Sequence, residues 1–355
     1  MTADVVVIGG GPAGSSAAIR LAQTGRKVRL YEKSRFPRPK LCGGFLSPEG
    51  LIELEELNII SSLRRSGAVP LHRVVIASQR GAVIESSLSE EALSISRDVL
   101  DGFLLQEALR SGVDVHEGED GFAHRTESPY TVIATGRQSL AASPRERLRK
   151  STDYFGIQTL FQDAEGVTDQ VELDLIESGY VGLARQANGV NVCALTTRET
   201  LHRWGPDLDK VMAHFTEENP MLRHHLKAAS RTRAWMAVGP VNLGIRRLSC
   251  DHTFYVGDAA CVVDPFAGEG MSIALYASRL LQRALDQTRK PATEIYAALW
   301  HETFSPALRW HAAMRLLCRV PLVREPALRA MQWFPQVLNG LTDLTRYHRI
   351  AGEEA

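Results

Sequence analysis

The sequence is poor in cysteine and in aromatic residues, carries no charge bias and has no long apolar run, and each shortage removes a class of protein. Its five cysteines (Cys42, Cys193, Cys250, Cys261 and Cys318) are odd in number and scattered, and none forms a CxxC pair. That excludes a disulfide framework and makes a reducing cytoplasm the expected compartment. Lys plus Arg and Asp plus Glu balance at 41 each, so the electrostatic footprint of a nucleic-acid binder is missing. No uncharged apolar stretch reaches the roughly 18 residues of a membrane span. The chain opens on a strand pattern, not on a basic segment with a cleavage site, so a cytosolic protein with at most a peripheral membrane contact is expected. No His, Cys, Asp and Glu constellation has metal-ligand spacing, and His224-His225 reads as solvated helix surface, so no metal is expected. At 355 residues the chain is long enough for two joined domains with an internal cleft.

What is present begins at once. Asp4 to Ile8 is an apolar run of strand length, Gly9-Gly10-Gly11-Pro12-Ala13-Gly14 is a tight turn, and Ser15 to Ala22 follows at helical periodicity. Gly25 ends the helix, and Lys27 to Glu32 reads as a second strand. In such a βαβ unit Gly9 permits the turn, Gly11 lets backbone amides approach a pyrophosphate, and Gly14 allows close helix packing. Pro12 and Ala13 open the helix, whose N-terminus adds partial positive charge. Glu32 stands where a carboxylate accepts hydrogen bonds from an adenosine ribose. This unit predicts a dinucleotide without choosing between FAD and NAD.

Two further segments favour FAD. The stretch Lys33 to Pro48, rich in basic residues, prolines and paired glycines, forms a shaped loop able to lie along a cofactor, with Lys33, Lys40, Cys42 and Gly43 as candidate contacts. Much later, Thr253 to Val256 reads as a strand that delivers Asp258 at its C-terminal end. A glycine-containing loop, Asp264-Pro265-Phe266-Ala267-Gly268-Glu269-Gly270-Met271, then opens a long helix. Asp258 is placed to accept from ribityl hydroxyls, and the amides around Gly268 to Met271 to stabilise negative charge on a reduced flavin.

With these blocks assembled, the sequence resembles the large FAD-dependent family of aromatic hydroxylases, geranylgeranyl reductases and their relatives. The resemblance rests on GGGPAG with Glu32, on Ser96-Arg97-Asp98-Val99-Leu100-Asp101, and on GDAACVVDPFAGEGMSIAL. It implies that Gly11, Ala13, Gly14, Glu32 and Arg97 line the adenosine and pyrophosphate half of FAD. Asp258, Pro265, Gly268, Gly270 and Met271 would line the ribityl and isoalloxazine half. The loop Lys40 to Glu49 looks most like the geranylgeranyl-reductase-like branch, which includes flavoproteins that act beside polyketide synthases. Cys42 would then sit near the flavin, as a catalytic candidate or as a small packing residue.

The implied fold is α/β: a Rossmann-type FAD-binding domain with an inserted antiparallel β-sheet substrate domain and C-terminal helices. The FAD-binding domain is assigned to 1–60, 85–140 and 236–290, the substrate domain to 61–84 and 141–235, and a helical cap to 291–355. Alternation over Phe155–Phe161, Val171–Ile176, Tyr180–Ala184 and Val190–Leu195 marks the substrate strands. Tyr180, the other catalytic candidate, is placed to face substrate or to serve the sheet. From Ala292 the pattern is helical, broken at Pro306, Pro321, Pro326 and Pro335. Between Pro306 and Ile350 there are seven Arg against two acidic residues, interleaved with Trp and Leu, which suits a cap or a membrane-surface contact.

The leading functional expectation is a monooxygenase that uses NAD(P)H and O₂ to hydroxylate an aromatic, quinone or polyketide-type hydrophobic molecule. The alternatives are double-bond reduction in a prenyl or lipid-like substrate, and a flavin-dependent cyclase or flavin-binding protein without net redox turnover. One dinucleotide fingerprint is present, so NAD(P)H would bind transiently. Thr135-Gly136 stands where many hydroxylases carry Asp-Gly, which weakens a direct transfer of their nicotinamide handling. The oligomeric state is left open.

Overall fold

The computed structural model describes residues 3–138, 153–319, 321–334 and 336–349. The expected domain boundary at residue 141 and the expected break at Pro335 fall outside them. The chain begins with β1 (Val5–Ile8), α1 (Pro12–Gln23) and β2 (Val28–Glu32), then β3 (Phe45–Leu46), α2 (Pro48–Glu56) and α3 (Ile60–Arg65). There follow β4 (Val69–Ala77), β5 (Val83–Ser94), α4 (Arg97–Arg110), β6 (Asp114–Glu117) and β7 (Tyr130–Ile133). Four long strands come next, β8 (Tyr154–Gln162), β9 (Gln170–Ile176), β10 (Gly179–Gln186) and β11 (Gly189–Thr197).

β1 is apolar and buried along its whole length, the condition of a central parallel strand. It pairs in parallel with β2 and β7, so that Ile8 stands beside Tyr31 and Ile133. The strands β6 and Thr253–Tyr255 extend this sheet at either side, and Ser249–Cys250 closes it with an antiparallel hairpin. α1 starts on a proline, carries no charge until Arg20, and is buried from Pro12 to Leu21, packed against α4 and the helix Gly270–Asp286.

Among the described residues the second sheet has nine strands. β8 to β11 pair antiparallel, their bounds close to those the alternation predicts. Two features differ from the sequence reading. β5 runs on to Ser94 within this sheet, past residue 84, where the chain was expected to return to the cofactor domain. β4 joins β9 in parallel, with Val74 beside Val171. A parallel join needs a crossover, and the whole of α4, β6 and β7 serves as one. The outer face of this sheet packs under the helices Arg198–Trp204, Leu208–Glu218 and Pro220–Leu226 around Val181, Phe215 and Leu222. His225 belongs to that interface and not to solvated surface: it is buried, with Nε2 2.9 Å from Glu172 Oε1.

Pro306 lies within one helix, Ala292–Arg319, and Pro326 within Pro321–Trp333, so neither ends its element. The carbonyls deprived of a donor belong to Glu302 and Leu322, both exposed residues. Trp300, Phe304 and Ala307 meanwhile bury the other face of the first helix.

Candidate functional site

Between the two sheets runs a cavity of about 790 Å³. It is bordered by Tyr180 and by every candidate cofactor residue except Gly14. Gly14 sits behind the turn, where a Cβ would meet the Gly9 carbonyl oxygen at 1.8 Å.

At one end the carboxylate of Glu32, carried to the edge of the sheet by β2, is buried and held in place. Its Oε2 accepts from the Gly10 amide at 2.8 Å and its Oε1 from the Ser34 amide at 2.9 Å. The N-terminus of α1 opens beside it. Gly11 is the N-cap, no side chain caps the helix, and no acidic residue stands in the first turn, so its leading amides are left for a ligand. The Arg97 guanidinium faces this terminus: a Cβ on Gly11 would lie 3.6 Å from Nη2. Asp101 fixes Arg97 through bonds of 2.7 and 2.8 Å. Burial alone would lower Arg97, but the charge and hydrogen bonds of Asp101 outweigh it and raise its pKa. Lys40 is displaced the opposite way, lowered by burial and then by Arg97 and Arg38. An anion seated here would relieve that crowding.

At the other end, Gly257 packs so tightly on Ala13 that Asp258 is brought beside α1, with Arg137 Nε 3.8 Å from its carboxylate. Asp264 caps the turn Pro265–Ala267 through the Phe266 amide at 3.1 Å, and Arg315 Nη1 holds its other oxygen at 2.8 Å. Gly268 adopts φ +73° against the Phe45 ring, which a side chain at that position would strike. Glu269 follows in a buried cluster, its Oε2 accepting from Ser47 Oγ at 3.0 Å. Burial pushes its carboxyl well above the usual range, and Glu49 adds to the effect.

The loop through Cys42 is held by the second sheet. The Cys42 amide donates to Gln158 Oε1 at 2.8 Å, and Asn191 Nδ2 donates to the carbonyls of Cys42 and Gly43 at 3.1 and 2.8 Å. Gln158 Nε2 in turn donates to Asn191 Oδ1 at 2.6 Å. Sequence reasoning missed this clamp. Its signal was an amide residue within each of two strands, Gln158 in β8 and Asn191 in β11. The Cys42 thiol lies 4.0 Å from Met271 Sδ, at the cavity wall.

Beyond these residues the cavity is walled by the second sheet and the C-terminal helices, with Val74, Ile76, Val171, Leu173 and Leu338 facing it. Tyr180 stands edge-on to Phe266, ring centroids 5.6 Å apart, and burial pushes its phenol well up. Burial likewise pushes the Cys193 thiol up to about 12, with Cys42 contributing. Neither group supplies a base near neutral pH. No group of three or more His, Cys, Asp and Glu that could hold a metal ion occurs among the described residues.

Residues 3–172 match the pyridine nucleotide-disulphide oxidoreductase family. The chain is an FAD-dependent oxidoreductase. It is 27% identical to conditioned medium factor receptor 1 of Dictyostelium discoideum over 91% of this chain and 72% of that one. It is 26% identical to the menaquinone reductase of Mycobacterium tuberculosis over 80% and 77% of the two chains. In fold it resembles a geranylgeranyl bacteriochlorophyll reductase-like protein of Thermoplasma acidophilum, with a TM-score of 0.74, 21% identity and coverage of 97% and 99%. The pocket of this flavoenzyme fits FAD on its own terms: a preset carboxylate, an uncapped helix N-terminus and a crowded lysine line one end of an elongated cavity.

Proposed function

We propose that this flavoenzyme saturates a carbon–carbon double bond in a prenyl or other lipid-like substrate. One observation carries the reading. The sheet wall of the cavity is formed by Val74, Ile76, Leu88, Val171 and Leu173, with Tyr180 and Cys193 both shifted away from ionisation. Such a wall rewards hydrocarbon and offers no carboxylate, imidazole or amine to polarise a phenol. The similarity to a menaquinone reductase supports it.

FAD, when bound, supplies electrons and hydride. The chain would hold the adenosine end through Glu32, the pyrophosphate through the α1 amides with Arg97 and Lys40, and the ribityl chain through Asp258. The Gln158–Asn191 clamp would keep the Cys42 loop closed and water out. The α1 terminus and Glu32 are committed to FAD, so NAD(P)H would act as a transient reductant at the open face or yield to another donor.

Hydroxylation of an aromatic or quinone ring is the second reading, favoured by the two aromatic rings, Tyr180 and Phe266, that border the cavity and could pack against a planar substrate. The two are separated by supplying chemically reduced enzyme with a prenylated quinone. Anaerobic gain of two hydrogens in the prenyl chain supports the reductase. Turnover only in air, with isotopic oxygen from O₂ in the product, sinks it.

A further inference from the structure

Two carboxyl groups are buried where the helix Gly270–Asp286 packs on α2, and the fold treats them differently. Glu53 has three arginines, Arg20, Arg279 and Arg349, within 3.1 Å of its oxygens. Glu269, 2% exposed, forms no ion pair among the described residues and is met by a hydroxyl, Ser47 Oγ, at 3.0 Å. The ionisable groups that face it are Glu49 of α2, and Arg346 and Tyr347 from the segment after Gln336–Thr345. Arg346 is shared between Glu49 at 3.6 Å and Asp343 at 3.8 Å, and Tyr347 donates to the Ser272 carbonyl at 3.3 Å. On its own helix the first charged residue is Arg279, which Glu53 engages, and on the preceding turn Asp264 is held by Arg315. An ionised Glu269 would thus be a buried charge beside a second carboxylate with no cation of its own. Keeping a proton relieves that cost. Burial and Glu49 accordingly raise the Glu269 carboxyl far enough to leave it protonated at neutral pH.

The position of Glu269 gives that proton a use. Glu269 is the N-cap of the helix, and it borders the cavity together with Gly268, Gly270 and Met271. No acidic residue stands in the first turn, so with Glu269 neutral the positive end of the helix faces the cavity uncancelled. Ionised, it would place a full negative charge at that end. A flavin ring against this turn gains negative charge as it accepts two electrons, and the two charges would oppose each other.

We propose that the Glu269 carboxyl is a redox-linked proton site, neutral whenever the flavin holds two extra electrons, which keeps the helix terminus positive toward the ring. Where Glu269 starts ionised, reduction takes two electrons from the donor to the flavin and one proton from water to Glu269, beyond any proton that the ring itself takes up. The inference rests on FAD lying with its ring against Gly268–Met271, and not on which substrate is turned over. The test is the equilibrium of FAD-loaded protein with a redox dye during slow enzymatic reduction, read by absorbance from mildly acid to alkaline pH. On the alkaline side the wild-type constant for two-electron reduction should fall more steeply than that of Glu269→Gln, by about tenfold more per pH unit, the mark of one extra proton. Glu49→Gln removes the like charge and leaves the Glu269 carboxyl in place, so it should keep the extra slope and move its onset to lower pH. Lys40, at the other end of the cavity, titrates in all three proteins and cancels. Parallel slopes in wild type and Glu269→Gln overturn the proposal. So does an onset that Glu49→Gln leaves in place, a result that decides the matter even where Glu269→Gln binds FAD too poorly to titrate. Infrared spectra of the apoproteins at neutral pH then say which half failed. A protonated-carboxyl band that Glu269→Gln lacks means that the proton is there and the ring lies elsewhere, whereas no such band means that Glu269 is ionised.

Discussion

Replacing Gly14 by alanine puts a methyl group in place of a hydrogen in a turn that has no room for it. The new Cβ would lie 1.8 Å from the Gly9 carbonyl oxygen and 2.9 Å from Ala134 Cβ. Ordinary contact begins at 3.4 Å, so α1 and β1 would have to part by about 1.6 Å at this point. Both elements are backbone packed in the core, and neither has a flexible end to move aside. The expected loss of stability is about 1–3 kcal/mol, the range for overpacking. The same displacement carries the uncapped α1 amides away from the Arg97 guanidinium, so FAD affinity should fall by roughly a hundredfold, about 2.7 kcal/mol. Gly102→Ala is the control: it lies inside α4 with nothing within 4 Å of a new Cβ, and should stabilise by about 0.5–1 kcal/mol. Urea unfolding of both apoproteins and FAD titration by flavin fluorescence would measure these effects. A Gly14→Ala protein that binds FAD as the wild type does, with an unchanged urea midpoint, would refute the claim that this contact sets the pyrophosphate seat.

Other perturbations reach separate parts of the site. Asp258→Ala should weaken FAD by about tenfold to a hundredfold through lost hydrogen bonds to a charged group, with little change in apoprotein melting, since the side chain is 39% exposed; gel filtration with absorbance at flavin wavelengths reads the retention. Asn191→Ala removes both bonds that hold the Cys42 and Gly43 carbonyls and should cost about 1–3 kcal/mol, seen as faster proteolysis near residue 42. Cys42→Ser keeps the Gln158 and Asn191 bonds, which use its backbone, and should retain FAD; whether turnover survives decides between a catalytic thiol and a packing residue. Glu269 has its carboxyl raised by burial and by Glu49, against Ser47 and Arg346, so the folded chain keeps a proton that the unfolded chain releases. Stability should therefore decline as pH climbs above the ordinary carboxyl range, by up to about 1.4 kcal/mol per pH unit until the raised value is passed. Glu269→Gln should flatten that slope in urea midpoints taken across the range, and an unchanged slope would assign the proton elsewhere.

The cofactor unit was legible because its signals are local. A strand of four apolar residues, a glycine every few positions and a carboxylate at the end of the next strand all lie within 32 residues. The β8 to β11 strands were legible for the same reason, since alternation of apolar and polar residues is read within one strand. What was missed depends on partners distant in the chain. Asn191 and Gln158 look like stray polar residues until the loop through Cys42 is laid across them. His225 looks like surface until Glu172 is found facing it from another element. The reach of β5 to Ser94 and the parallel β4–β9 join are questions of which strand lies beside which, and periodicity carries no such address. Pro306 misled because the carbonyl it leaves without a donor belongs to Glu302, an exposed residue, while the other face of the helix is held by its burial.

The parallel join of β4 to β9 also governs how the molecule can be assembled. These strands lie roughly one hundred residues apart, and α4, β6 and β7 are threaded between them. During synthesis β4 and β5 emerge well before β9 and must wait, with one edge unpaired, while β6 and β7 of the other sheet are made. Only when β9 follows is that edge closed. Such non-local pairing slows folding and leaves an early hairpin able to join a neighbouring chain. Neither sheet can therefore be excised as a contiguous fragment. A chain released after β7 would carry a nearly complete cofactor sheet and an orphaned pair of strands, and would be a candidate for aggregation before it was a candidate for flavin binding.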